Sequence, residues 1–548
     1  MEGLVQCSAN YVPLSPICFL ERAAVVYGYK DSIIYGTVRY TWKETLQRCV
    51  NLASALSRLE IFPGDVVAAL APNVPALYEL HFGVPMAGAI LSALNPRLDS
   101  TMLALILQQL EAKIIFVDYQ FLQVFLQALD ILSEAKIKPP ILVLILECCH
   151  PATFSSTIEK IPAGNLDYDG LLDMGQPDFE IIRPSNECTP ISVNYTSGST
   201  GNPKGVVYSH RAAYLNSLAV IFRSDLKQMP VFLWTVDMFR CNGWCLPWTV
   251  AALGGTNICL RKVSAKVIYD AIFLHNVTHF CGAPFLLNLI ADAAVTDQRP
   301  LPHKVDIVIA GALPPPQVLM KVVELGFNVT HSYGMTEALG PVTARLWHPE
   351  TNSYQHAKIK CCQGLHNLIM EGVDVKDPST MKSVPRDRKT IGEVMFRGNT
   401  MMMGYHKNLK ATQEAFRGGW YRTGDLAVMH PDGYIQMKDR SKDVIISGVK
   451  TISTIEIEAV LVGHPMIMEV AVVGRPDDCL GETPCAFLKL KEGCATSAEE
   501  ITNFCAERLP ANMVPQTIIF GDLPVNSTGK IQKFVLREKA KAVGELPP

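Results

Sequence analysis

The sequence predicts an α/β protein with a large N-terminal domain of α/β subdomains built on sheets and a small, mobile α+β domain at the C-terminus. Three observations carry this. Short apolar strands such as Val66–Ala71, Lys113–Val117 and Val305–Ala310 alternate with helical stretches, the rhythm of parallel sheets covered by helices. The 548 residues exceed what one core ordinarily holds, so two or more domains follow. A charged knot, Asp439-Arg-Ser-Lys-Asp443, stands between two apolar strands like a hinge, and beyond it lie about a hundred residues with strands of their own. The expected division is residues 1–438, a hinge at 439–443, and 444–548.

In chain order, Thr41 caps a helix over about 40–60, with Leu46, Val50, Leu52, Leu56 and Leu59 on a helical stripe. The strand Val66–Ala71, a helix at Leu77–Ala87, a strand before Asn95, a helix at Met102–Glu111 and the strand Lys113–Val117 follow. Pro139–Leu146 is the most apolar run; it falls short of the roughly 20 residues that span a bilayer and reads as a buried strand. Ile191, Val193 and Tyr195 alternate as a strand, and His210–Phe222 has the composition of a helix. After Val305–Ala310 a helix runs to about Leu325, stops at Gly326, and gives way to the strand Asn328–Ser332. Ile391–Phe396, Trp420–Asp425 and Gly433–Lys438 read as short strands, as do Glu469–Val473 and Cys485–Leu490 beyond the hinge.

Charge excludes some functions. Forty-nine Lys plus Arg against 52 Asp plus Glu leave a net charge of −3, with no nucleic-acid footprint and no basic membrane patch. Sixteen irregularly spaced cysteines without a secretory leader read as reduced thiols; Cys241 and Cys245 resemble half a metal site but have no partner pair, so zinc is not expected. The last residues, Gly-Glu-Leu-Pro-Pro548, are not a Ser-Lys-Leu signal, and the cytosol is the expected compartment. A monomer or weak homodimer acting on small molecules is expected.

Chemistry concentrates in a few stretches. Thr196, Ser197, Gly198, Ser199, Thr200, Gly201 and Lys204 form a hydroxyl-, glycine- and lysine-bearing loop after a strand, suited to cradling phosphate through backbone N–H groups; an ordinary Ser/Gly surface loop is the alternative. No Gly-Lys precedes Ser or Thr, so the loop is not the common P-loop. Tyr333-Gly-Met-Thr-Glu337 arrives at a strand's carboxyl end, where open α/β sheets bind ligands, bringing an aromatic face, a hydroxyl and a carboxylate together. Near the C-terminus a Gly turn presents Lys530 between hydroxyl residues.

Taken in order, that loop, Tyr333–Glu337, Tyr421-Arg-Thr-Gly-Asp425, Asp439–Asp443 and Ser527-Thr-Gly-Lys-Ile-Gln-Lys533 resemble the adenylate-forming superfamily of acyl-CoA synthetases, from about Pro16 to Arg537. Gly398–Tyr405 and Cys241–Cys245 resemble the plant acyl-activating enzymes that make CoA thioesters of short, branched or aromatic acids. The resemblance implies ATP, Mg²⁺ and coenzyme A: a carboxylate attacks the α-phosphorus, pyrophosphate leaves, and the CoA thiol displaces AMP. It implies that Thr196–Lys204 holds the β- and γ-phosphates, and that Tyr333 and Gly334, with Gly311, Ala312 and Leu313, border adenine. Thr336 would touch the α-phosphate, Glu337 would hold Mg²⁺, and Asp425 would accept the ribose hydroxyls beside Arg440. Lys530 would bridge carboxylate and phosphate. Lys442 would be the pivot between half-reactions, and the loop at Gly448 would line the CoA tunnel. Arg240, Trp244, Cys281 and Gly282 would surround the acyl group.

Three departures stand out. Relatives read Pro and His where this chain has Asp237 and Arg240, so Arg240 is expected to pair with Asp237 or a substrate carboxylate, or to obstruct turnover. Val449 and Lys450 replace smaller or acidic residues of the CoA-side loop, and Leu480 stands where an indole is commoner. They leave open an impaired paralogue that binds nucleotide, or an adenylating enzyme with an acceptor other than CoA.

Overall fold

The computed structural model describes residues 3–147, 166–196, 203–311, 316–346, 365–448, 450–526 and 530–542. Local chemistry sets its helices where expected. The helix Trp42–Arg58 starts at Thr41, whose hydroxyl accepts from Glu44 N while the Glu44 carboxylate accepts from Thr41 N, a reciprocal cap. The next helix, Pro75–Met86, lies close against it because Gly83 has no side chain: a Cβ there would sit 2.5 Å from Leu52 Cδ2.

Two large sheets form the N-terminal part. One has eight strands; its inner members, Ile90–Ala93, Val66–Leu70, Ile114–Asp118 and Ile141–Ile145, run parallel and are apolar along nearly their whole length, as strands covered on both faces must be. The other has nine, with Val231–Leu233, His279–Gly282, Val305–Ala310 and Phe327–Met335 as successive parallel neighbours. Trp42, Trp234 and Trp248 are enclosed in the core between them. Arg261 ties the two together: its Nη1 and Nη2 each lie 3.0 Å from an Asp118 oxygen, and Asp118 is wholly buried.

A four-stranded antiparallel sheet, from Met370–Lys376 through Ile391–Gly398 and Tyr421–Met429 to Ile435–Arg440, follows. Past Arg440 a five-stranded sheet is built on the long pair Ile467–Asp477 and Gly481–Leu490, with its own core around Ile445, Leu461, Val472 and Leu488. The charged knot between these sheets is pinned at both ends. Asp439 accepts from Thr454 N, and Asp443 pairs with Arg537 on the last helix. The described cysteines are free thiols, no described group of three or more His, Cys, Asp or Glu could hold a metal ion, and no described helix is long and apolar enough to cross a membrane.

Candidate active site

The phosphate-loop motif lies at the tip of a hairpin. Pro190–Tyr195 and Gly205–Ser209 pair antiparallel, and the hairpin is closed by Thr196 N donating to Lys204 O at 3.0 Å and Lys204 N to Thr196 Oγ1 at 3.3 Å. Ser197, Gly198, Ser199, Thr200 and Gly201 lie outside the described residues. The sequence reading put the loop after a strand and a helix at His210–Phe222; between them the structure has a second strand, because Val206, Val207 and Tyr208 prefer a pleated surface, and the helix starts at His210. No helix N-terminus directly follows the loop, so the cation nearby is Lys204, 4.8 Å above the Tyr405 ring.

Tyr333 continues its strand one residue past the parallel pairing, which ends at Ala310 opposite Ser332, and the strand runs on to Met335 in antiparallel contact with Gly340–Leu346. Gly334 is required there: a Cβ would lie 2.1 Å from Gly340 O. The Tyr333 hydroxyl donates to Asp425 Oδ2 at 2.7 Å, and Arg440 Nε lies 3.0 Å from Oδ1. Burial raises the Asp425 carboxyl above its ordinary value, although Arg440, Tyr333 and Lys530 all pull the other way. Gly311 has φ +123°, and its carbonyl accepts from His331 Nε2 at 2.6 Å. Ala312 and Leu313 lie outside the described residues.

Beyond Met335 the chain makes one tight turn, Thr336–Ala338. It is held from three sides: Tyr208 OH donates to Thr336 O at 2.6 Å, Met402 N to Glu337 O at 2.8 Å, and Tyr405 OH to Glu337 Oε1 at 2.9 Å. Among the described residues no hydrogen bond reaches Glu337 Oε2, which is left for a ligand. A single oriented carboxylate suits Mg²⁺, which keeps water and substrate phosphates for most of its shell.

Lys530 stands at a turn closed by Asn526 N donating to Lys530 O and Lys530 N to Asn526 Oδ1. Its side chain reaches solvent, yet enough protein surrounds it to lower its pKa; Arg440 and Arg240 lower it further, while Cys241 and Asp425 oppose. Arg240 is paired: its Nε lies 2.9 Å from Asp237 Oδ2, which Arg97 Nη2 also reaches at 2.6 Å. The next residues form a left-handed turn, with φ between +48° and +66° at Cys241, Asn242, Gly243, Trp244 and Cys245. Four of the five are not glycine, a strain of roughly 1–2 kcal/mol each. Asn242 Nδ2 anchors the turn on Ser192 Oγ at 2.7 Å, and Asn194 Nδ2 holds Phe239 O at 2.8 Å. The turn sets Trp244 against Gly340, where a Cβ would come within 3.6 Å of the indole. Cys281 and Gly282 end the strand His279–Gly282, with Thr235 Oγ1 donating to Cys281 O at 2.6 Å.

The structure thus brings Asp425, Arg440, Arg240 and Lys530 within electrostatic reach of one another, with Tyr333 bonded to Asp425 and Glu337, in the turn that Thr336 begins, close enough to Arg440 to act on it. Lys442 and Gly448 do not join that group by any hydrogen bond or ion pair among the described residues. Lys442 is exposed and offers only its carbonyl, to Arg537, while Gly448 N donates to Leu480 O at 2.6 Å. Val449 lies outside the described residues. Three contributors escaped the sequence reading. Tyr405 and Tyr208 brace Glu337 and Thr336, and Glu393 receives Arg422 Nη2 at 2.7 Å and Gly424 N at 3.0 Å, fixing the turn before Asp425. The available signal for Glu393 was a carboxylate inside an apolar strand.

Residues 20–406 match the AMP-binding enzyme model and 456–530 its C-terminal domain. The chain is 50% identical to "Probable acyl-activating enzyme 21" of Arabidopsis thaliana, covering 99% of this chain and 98% of that one, and 48% identical to an acetate–CoA ligase of Humulus lupulus, covering 100% and 98%. A crystal structure of an anthranilate CoA ligase with anthranoyl-AMP shares its fold at TM-score 0.82 and 23% identity, over 99% of this chain and 100% of that one. With its braced Tyr-Gly-Met-Thr-Glu turn, its buried Asp425 and this extent of similarity, the chain belongs to the AMP-binding, adenylate-forming enzymes and, among them, to the acyl-activating enzymes and CoA ligases.

Proposed function

We propose that this ATP-dependent carboxylate–CoA ligase acts on a short or branched carboxylic acid. The observation that carries the reading is the convergence of Tyr333, Asp425, Arg440 and Lys530, with Glu337 close enough to Arg440 to act on it. Its acetate–CoA ligase relative supports a small acid, as does the Trp244 indole packed on the Gly340 segment.

The parts have distinct tasks. Tyr333, beside Gly334 and Gly311, stacks on adenine, and Asp425 accepts both ribose hydroxyls. Thr196 and Lys204, with the loop between them, hold the β- and γ-phosphates, and Thr336 touches the α-phosphate. Mg²⁺, held by Glu337 and the phosphates, would neutralise charge on the leaving pyrophosphate. Lys530 draws the carboxylate oxygen and the α-phosphate together; the carboxylate attacks phosphorus and pyrophosphate departs. The CoA thiol, losing its proton, then attacks the acyl carbon and AMP leaves. Rotation of 444–548 about 439–443, with Lys442 as pivot, withdraws Lys530 and brings the Gly448 loop to the CoA path.

Protein, ATP, Mg²⁺ and a panel of aliphatic and aromatic acids, with and without CoA, test this by pyrophosphate release and thioester mass. Absence of pyrophosphate with every acid overturns it, and pyrophosphate without thioester points to another acceptor. The proposed compartment is the cytosol and the proposed state a monomer or weak homodimer, tested by imaging the full chain against a peroxisomal marker and by light scattering.

A further inference from the structure

The charged knot joins the strand Ile435–Arg440 to the C-terminal part, and its two ends are held by different bodies. Ser441 N donates to Gly424 O at 2.8 Å, which fixes Ser441 to the sheet of Tyr421–Met429. Arg537, on the helix Lys533–Ala542, donates to Lys442 O at 2.9 Å and pairs with Asp443, which fixes the peptide after Lys442 to the C-terminal part. A rotation about Lys442 therefore leaves both clamps intact. It breaks the bonds that cross from one body to the other.

Of these, Asp443 N and Val444 N, which donate to Arg440 O at 2.8 and 3.1 Å, belong to the knot itself. Others converge on the first turn of the helix Thr454–Leu461. Asp439 Oδ2 accepts from Thr454 N at 2.5 Å, the Ser453 hydroxyl donates to Lys438 O, and Lys438 Nζ lies 2.8 Å from Glu456 Oε1. The last pair is partly exposed and contributes little, whereas Asp439 and Thr454 are buried. Asp439 can stand there because successive strand residues point to opposite faces: Arg440 turns to Asp425, and Asp439 to the helix. Thr454 in turn is tied to the segment of Lys530. Its hydroxyl accepts from Lys533 Nζ at 2.8 Å, that ammonium lies 2.7 Å from Glu458 Oε1, and Gln532 N donates to Pro524 O at 2.8 Å beside the turn that carries Lys530. A chain of bonded groups thus runs from Asp439 through Thr454 and Lys533 toward Lys530.

We infer that Asp439 is a positioning residue for adenylation: by holding Thr454 it keeps the C-terminal part, and Lys530 with it, in the adenylating orientation, and this hold is released before CoA attacks. The inference rests on the ligase reading and the rotation above, and it names the contact that opposes that rotation. Burial raises the Asp439 carboxyl, and Lys533 with the N–H groups of Thr454 and Arg440 draws it back, so part of what keeps it charged is lost when the helix leaves.

The test measures the two half-reactions separately in Asp439→Ala and Asp439→Asn: pyrophosphate release in a single turnover without CoA, and thioester mass from supplied acyl-adenylate with CoA. Loss of a hydrogen bond to a charged group shifts an equilibrium by about tenfold or more. If the adenylating orientation still predominates in the variant, the second step speeds up; if it does not, the first slows. Either way the ratio of the first rate to the second should fall about tenfold in Asp439→Ala. It should fall less in Asp439→Asn, whose single amide oxygen keeps one of the N–H groups of Thr454 and Arg440 that the carboxylate accepts. A merely structural role lowers both steps alike. Equal loss, an unchanged ratio or a raised one overturns the inference and leaves the ligase reading standing. A wild type that releases no pyrophosphate with any acid, or makes no thioester, overturns both. Where Asp439→Ala fails to fold, Asp439→Asn decides on the same ratio.

Discussion

Replacing Asp425 with Asn removes one negative charge from the cleft and keeps the side chain's shape. The carboxylate is 4% exposed, accepts the Tyr333 hydroxyl and faces Arg440, whose side chain is 53% exposed. An ion pair with so exposed a partner contributes only about 1 kcal/mol. Binding is affected more. Two ribose hydroxyls donating to a carboxylate form charge-assisted bonds, each roughly 1–1.5 kcal/mol stronger than bonds to a neutral amide, so about 2–3 kcal/mol is lost. That is roughly a 30- to 150-fold rise in KM for ATP, with KM for the acid little changed. Stability moves the other way. Burial holds the folded carboxyl above its unfolded value, so the group stabilises the fold fully below the unfolded pKa and loses that contribution as pH rises through the folded one. At pH 7 the charge is a net burden, and Asp425→Asn should melt above the wild type, by less at pH 4. Pyrophosphate release against ATP concentration and thermal melts at both pH values check this. A variant that melts lower at pH 7 with an unchanged KM for ATP would refute the account of the site.

Lys530→Ala should slow adenylation about 10²- to 10³-fold, measured as pyrophosphate release, while CoA still attacks supplied acyl-adenylate. Because surrounding protein and Arg440 and Arg240 lower the Lys530 pKa, adenylation should fall as pH rises through that lowered value, and Arg240→Gln should move this alkaline limb upward. Asp118→Ala leaves Arg261 without its bidentate partner between the two large sheets and should cost about 3–5 kcal/mol in denaturant unfolding, much of it recovered in Asp118→Leu/Arg261→Met. Gly334→Ala places a Cβ 2.1 Å from Gly340 O; about 1–3 kcal/mol of stability and most ATP affinity by calorimetry should be lost as Tyr333 is displaced.

What the sequence disclosed follows from how far apart the interacting groups lie. The strand Val305–Ala310 and the helix after Thr41 are encoded by apolar period and by a cap three residues away, so both were legible. Tyr333–Glu337, Asp425 and Lys530 were legible because each sits in a contiguous motif. Tyr405 meets Glu337 across 68 residues, Tyr208 meets Thr336 across 128, and Arg223 meets Pro341 across 118. No local period encodes such meetings. They arise when the strand Gly404–Tyr405 pairs with Gly205–Ser209 and when the helix after it packs on the Leu339–Pro341 segment.

The unusual Asp237 and Arg240 illustrate both cases. Their ion pair is local, three residues apart, and was foreseeable; the second cation on Asp237, Arg97, comes from 140 residues away. Asp237 thus lies between two guanidiniums, and the charge of one of them, Arg240, is felt at Lys530. The arrangement bears on the question of obstruction. Arg240 is drawn toward Asp237, and an ammonium made more acidic by its neighbours gains most from the two anions that meet there. Arg240→Gln therefore separates the possibilities: if Arg240 serves adenylation through Lys530, the alkaline limb shifts and the rate at neutral pH falls. An obstructing residue would give the opposite sign in rate, faster turnover at neutral pH, and the alkaline limb shifts in either case because the Arg240 charge acts on Lys530 regardless.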